Sequence, residues 1–140
     1  MNIFELNEDT PEELIKFVLN ASSEQSIVRF FKEVDGYDFA GRVYRLLSNP
    51  LLVDSKEIHL AYEEVVLKEV RHDGCAIHNF ANPSEIVQLT AVRENGYAIK
   101  YIYDPSEAVQ LEAVKQNYDA IDYIYDPTEA VKRAAAATVM

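Results

Sequence analysis

PSEIVQLTAVRENGYAIKYIYD, from Pro83 to Asp104, is followed at once by PSEAVQLEAVKQNYDAIDYIYD, from Pro105 to Asp126. The two 22-residue stretches agree at 15 positions. Self-similarity at such a period marks stacked supersecondary units, each too small to bury its own apolar face and each covering its neighbour. Upstream, residues 61–82 form a diverged copy: Glu63, Val65, Leu67, Val70, Arg71, Gly74, Ala76 and Ile77 recur as Glu85, Val87, Leu89, Val92, Arg93, Gly96, Ala98 and Ile99. Downstream, a truncated copy opens at Pro127, Thr128, Glu129, Ala130 and Val131.

Each unit starts with an amide or acid, a proline, a small hydroxyl residue and glutamate: Asn82-Pro83-Ser84-Glu85, Asp104-Pro105-Ser106-Glu107 and Asp126-Pro127-Thr128-Glu129. This pattern predicts a helix capped by Asn82, Asp104 or Asp126, with proline at the first helical position and glutamate at the third. Asn95-Gly96 then predicts a left-handed stop. In the next copy Tyr118 replaces the glycine, so Asn117 or Tyr118 is expected to take the turn. A short second helix should carry Ala98, Ile99 and Ile102, repeated as Ala120, Ile121 and Ile124.

Residues 1–54 lack the period. Thr10-Pro11-Glu12-Glu13 reads as a helix start with Thr10 as the cap, Ser22-Ser23 as a break that caps a second helix, and Asp38 to Ser48 as a third. A longer helix from about Ser55 should stop near Asp73-Gly74. The expected fold is all-α: one domain, with an N-terminal helical cap over 1–54 and an α-solenoid of short helix pairs over 55–140, in units 61–82, 83–104, 105–126 and 127–140.

Acidic residues outnumber basic ones 24 to 13, a formal charge of −11, which disfavours direct binding of nucleic acid or of an anionic membrane surface. Cys75 is the only cysteine, so no intrachain disulfide can form. The first residues, Met1 to Glu5, lack the basic region and apolar run of a signal peptide, and no apolar stretch is long enough to span a membrane. A soluble cytoplasmic protein is expected.

At Val87–Asn95 and Val109–Asn117, Val-Gln-Leu-x-Ala-Val-x-x-Asn followed by Ala-Ile-x-Tyr-Ile resembles short two-helix repeats of uncharacterised phage-encoded and bacterial proteins. More distantly, it is similar to HEAT-type and variant leucine-rich solenoids. The resemblance covers residues 61–140 and brings no catalytic residue. Because many small acidic phage proteins bind and inhibit a host protein, it implies a counter-defence role in the host cytoplasm, by analogy.

Comparing the copies shows where chemistry varies. Positions on one face of the second helix read Cys75, His78 and Asn82, then Tyr97, Lys100 and Asp104, then Asp119, Asp122 and Asp126. Between Tyr101 and Glu129 seven acids face one lysine, Lys115, a net −6. Tyr101, Glu112, Asp119, Asp122, Tyr123 and Asp126 are therefore the candidate partner-binding residues, an acidic, tyrosine-flanked surface suited to a protein with a basic surface, such as a groove that normally holds nucleic acid. Solvated surface charge and capping explain many such acids equally well. Tyr103 and Tyr125, four residues beyond Ile99 and Ile121, should pack on the core edge, while Tyr101 and Tyr123 point outward.

His72, Cys75 and His78, with His59 as a fourth, carry metal-ligand chemistry, but Gly74 interrupts them and the equivalent Glu94, Tyr97 and Lys100 form no ligand set. No metal or cofactor is expected. Without a Gly-rich phosphate loop, nucleophile elbow or HExxH, the expected function is non-enzymatic. Two alternatives are a homodimer formed through Val131, Ala134 and Ala135 at the C-terminal repeat end, and a small enzyme or metal protein.

Overall fold

The computed structural model describes residues 1–139 and is all-helical, with no strand among them. No helix is long and apolar enough to cross a membrane among the described residues. The chain divides into two compact units, Met1–Val65 and Val66–Met140.

The first unit begins with a 3-10 turn, η1 (Ile3–Glu5), closed by a capping box in which Asn2 and Glu5 bond reciprocally. Helices α1 (Glu12–Asn20), α2 (Glu24–Glu33) and α3 (Tyr37–Arg45) follow, and the first part of α4 (Lys56–His72) completes the unit. Thr10 does not cap α1. Its hydroxyl accepts a bond from the Asn7 amide at 3.0 Å and closes the preceding turn, which leaves Pro11 at the cap position without a side-chain bond. Ser23 caps α2 through the Ser26 amide at 3.1 Å.

Helix α3 stops before the expected Ser48 because Asn20 captures the chain. Its carboxamide oxygen accepts from the amides of Ser48 at 2.8 Å and Asn49 at 2.9 Å, and its nitrogen donates to Leu46 O at 2.9 Å. Ile15, Leu19, Ile27, Ala40, Val43 and Ile58 are fully buried in this unit. Beside them Tyr44 stacks on Tyr62 with ring centroids 3.9 Å apart, and Phe31 meets both edge-on.

The second unit alternates α-helices with six-residue 3-10 helices: η2 (Gly74–Asn79), α5 (Glu85–Glu94), η3 (Gly96–Tyr101), α6 (Glu107–Gln116), η4 (Tyr118–Tyr123) and α7 (Glu129–Val139). Here α5 packs on α6 and α6 on α7, while η2 contacts η3 and η3 contacts η4. Val87, Ala91, Val92, Ala98 and Ile99 are buried, as are Val109, Ala113, Val114 and Ala120 one repeat later.

The helix starts differ from the expectation. Ser84 and Ser106 are the caps of α5 and α6, accepting from Val87 N at 3.4 Å and Val109 N at 3.3 Å, and the Thr128 hydroxyl accepts from Val131 N in the same way. Asn82, Asp104 and Asp126 lie two residues earlier, in the left-handed region at φ 50°, 48° and 51°. These are the side-chain types that enter that region at least cost. Each proline therefore precedes the cap rather than occupying the first helical turn.

The expected left-handed stop at Asn95-Gly96 is also absent. Asn95 and Asn117 are extended, at φ −154° and −153°, and their side chains cap the next 3-10 helix by accepting from the amides of Tyr97 and Asp119, each at 3.0 Å. Tyr118 therefore needs no special backbone. Glycine serves close approach instead: a Cβ at Gly74 would lie 2.3 Å from Ala91 O, and one at Gly96 would lie 2.6 Å from Ala113 O.

Because a backbone carbonyl cannot swing aside as a flexible side-chain end can, Gly96→Ala should destabilise the protein by about 1–3 kcal/mol, the usual cost of overpacking. Urea denaturation measures this; a variant as stable as the parent would refute the close approach.

Candidate functional site

The candidate residues all lie in the second unit, but the structure divides them. Tyr101 ends η3, Asp119, Asp122 and Tyr123 belong to η4, Glu112 lies on α6, and Asp126 sits in the left-handed turn before α7. The 3-10 helices end at Tyr101 and Tyr123, so Asp104 and Asp126 do not continue the face that a longer helix would have given them.

The 3-10 helices bring equivalent side chains together across successive copies. The Tyr101 ring lies 5.2 Å from that of His78, and Tyr123 meets Tyr97 edge-on at 5.9 Å. The Tyr97 hydroxyl donates to Asp119 Oδ2 at 3.4 Å. Lys100 Nζ stands over the Tyr101 ring at 5.0 Å and the Tyr123 ring at 5.9 Å. Its ammonium is raised above the ordinary lysine pKa, first by a hydrogen bond with the Tyr101 side chain. Aromatic rings, one cation and Asp119 thus form one continuous side-chain row, with Asp122 next to Tyr123 in sequence on η4. Tyr97, Lys100 and His78 belong to it although they were not among the candidates, and the signal was available: they occupy the same repeat positions as Asp119 and Asp122.

Glu112 is committed elsewhere, paired with Arg93 of α5 at 3.6 Å. Both partners keep solvent contact, so the pair is worth at most about 1 kcal/mol and partly neutralises that carboxylate. Asp122 is exposed. It is the η4 acid least occupied by the fold.

The tyrosines are reversed relative to the expectation. Tyr101 and Tyr123 are 43% and 50% exposed, held against their neighbours, whereas Tyr103 and Tyr125 are 96% and 97% exposed. A four-residue spacing places side chains together only on an α-helix. Here the 3-10 helix has ended, Ile102 and Ile124 turn inward, and the next residue turns out.

Among the described residues no three His, Cys, Asp or Glu side chains gather as a metal set. His78 Nδ1 donates to Cys75 O at 2.9 Å, and His59 bonds Tyr44 through Nδ1 and donates to Val53 O through Nε2. At the C-terminal end Val131 and Ala135 are buried within the unit and Ala134 is half-buried. The three residues expected at a homodimer face are thus largely covered by their own chain. No family model, curated protein or solved structure matches this chain.

Burial, then the nearby Asp73 carboxylate, raises the Cys75 thiol above its ordinary pKa against a smaller opposite pull from Lys100. Less thiolate is then present at a given pH, and thiolate is the nucleophile. Alkylation by iodoacetamide at pH 8 should be slower than that of the unfolded chain and should keep accelerating above the pH where a free thiol levels off. A rate equal to that of the unfolded chain would contradict it.

Proposed function

We propose that this chain is a non-enzymatic protein-binding module. Its repeats form a short α-solenoid, and the η3–η4 row docks on a basic surface of a protein partner. In its sharpest form the partner handles nucleic acid, and the acidic row takes the place of phosphates in its groove, as an inhibitor of phage type would. The observation that carries the reading is the juxtaposition of Tyr101, Tyr123, Asp119 and Asp122 on successive 3-10 helices, with the stretch from Tyr101 to Glu129 at a net −6.

Acids in such a row raise the encounter rate with a basic partner and repel acidic ones. Tyrosines beside them supply contact area with a polar tip. The roles differ among the candidates. Asp122 offers the freest charge, Asp119 is partly used by Tyr97, Glu112 is shared with Arg93, and Asp126 contributes from the adjoining turn.

Capture from the native host followed by mass spectrometry identifies the partner, and direct titration then tests the surface. Charge reversal at Glu112, Asp119 and Asp122 together should abolish binding, and Asp122→Lys alone should weaken it about tenfold while leaving the melting temperature unchanged, as expected for an interfacial charge. Raising the salt concentration should weaken the parent complex. Undiminished binding by the triple variant would sink the proposal.

A further inference from the structure

The turns that lead into α6 and α7 each hold a tyrosine almost wholly in water. Tyr103 and Tyr125, at 96% and 97%, are the most exposed large apolar side chains described. They contribute little to the core, which at each turn is served by the preceding residue, Ile102 or Ile124, only 8% exposed. Both rings are displayed alike. Each is followed by an aspartate at φ 48° or 51°, a proline and the hydroxyl residue that caps the next helix. Helices α6 and α7, into which the two turns lead, pack together.

Acids outnumber bases at the two turns, although Lys132 pairs with Glu129 at 3.3 Å. Residues 103–107 read Tyr-Asp-Pro-Ser-Glu and residues 125–129 read Tyr-Asp-Pro-Thr-Glu, two carboxylates and no base in each. The earlier turn has Ala81 and Asn82 at the matching places, so the feature belongs to the last two turns alone. A flat apolar face beside carboxylates is complementary to one side chain above others. Guanidinium can stack on the ring while its fork engages the acid; the ammonium of lysine is a more strongly hydrated point charge without the planar fork.

We propose that Tyr103 and Tyr125, with Asp104, Glu107, Asp126 and Glu129, form an edge that binds an arginine-rich segment of the protein partner. This rests on the reading that the partner is basic and narrows it: arginine is selected over lysine, and the tyrosines do the selecting. Stacking of an exposed cation on an aromatic ring corresponds to about two- to fivefold in affinity per ring.

Nona-arginine and nona-lysine, equal in charge, are the probes, titrated into the full chain at physiological ionic strength. The parent should bind nona-arginine about two- to fivefold more tightly, since a lysine ammonium also gains from the rings but less. Y103A/Y125A should lose that preference, weakening nona-arginine more than nona-lysine, and Y103F/Y125F should keep it. Equal melting temperatures are expected, since both rings lie in water. The proposal is overturned if the parent binds neither peptide, binds both equally, or keeps its preference in Y103A/Y125A. The two readings separate cleanly. If D122K weakens both peptides while Y103A/Y125A changes neither, the η4 acids act without this edge; if D122K changes neither and the tyrosine pair governs the preference, the edge acts without them.

Discussion

The second unit depends on how closely a 3-10 helix can approach the end of the α-helix that follows it. At Gly74 and Gly96 there is no room for a single carbon, because the Ala91 and Ala113 carbonyl oxygens lie where a Cβ would go. The residues around that contact are small as well: Ala76, Ala98, Ala91 and Ala113 are all buried. Glycine and alanine therefore set the spacing, and Val87, Val92, Val109 and Val114 fill what remains. Cross-copy contacts follow from that spacing. Tyr97 reaches Asp119, His78 meets Tyr101, Arg93 meets Glu112 and Ser106 donates to Glu85, each pair about one repeat apart in sequence.

Tight stacking also decides which charges are available. A carboxylate beside the matching position of its neighbour is either shared or left free according to what that neighbour carries. Glu112 meets Arg93 and Asp119 meets a phenol. Lys100, at the place of His78 and Asp122, has its ammonium over two tyrosine rings. The sequence change from His78 through Lys100 to Asp122 therefore places an imidazole, an ammonium and a carboxylate on neighbouring 3-10 helices.

Much of this was legible because the same requirements recur in each copy. Val87, Ala91, Val92, Ala98 and Ile99 read as core positions by repetition, and they are buried. The all-helical class followed from the same residues. What failed was local geometry. A 3-10 helix has about three residues per turn, so projecting α-helical spacing from Ile99 placed Tyr103 inside when it is almost fully exposed. Ser84 and Asn82 are both good capping types, and composition alone does not say which of them the chain uses. Asn20 was unreadable for another reason: its partners, Leu46, Ser48 and Asn49, lie 26, 28 and 29 residues away. In the candidate site the η4 acids were visible as deviations from the repeat and their tyrosines as its recurring positions, whereas the Arg93 pairing that partly neutralises Glu112 needed coordinates.

The last two copies differ from the one before them in two separable ways. One concerns burial. Leu89 and Leu111 are replaced by Arg133, which is exposed, and the fully buried Val92 and Val114 by Ala136, which is exposed too. Ile121 is only half-buried where Ile99 is 1% exposed. At 133 and 136 a charged or small side chain stands where the position meets water, as expected of any exposed helix face. Burial does not account for Asp122 in place of Lys100, since that position is exposed in both copies. Nor does it account for keeping a tyrosine at both Tyr103 and Tyr125, which are equally exposed. The residues that burial leaves unexplained are the outward acids and the outward tyrosines, and they are the ones the proposed docking uses.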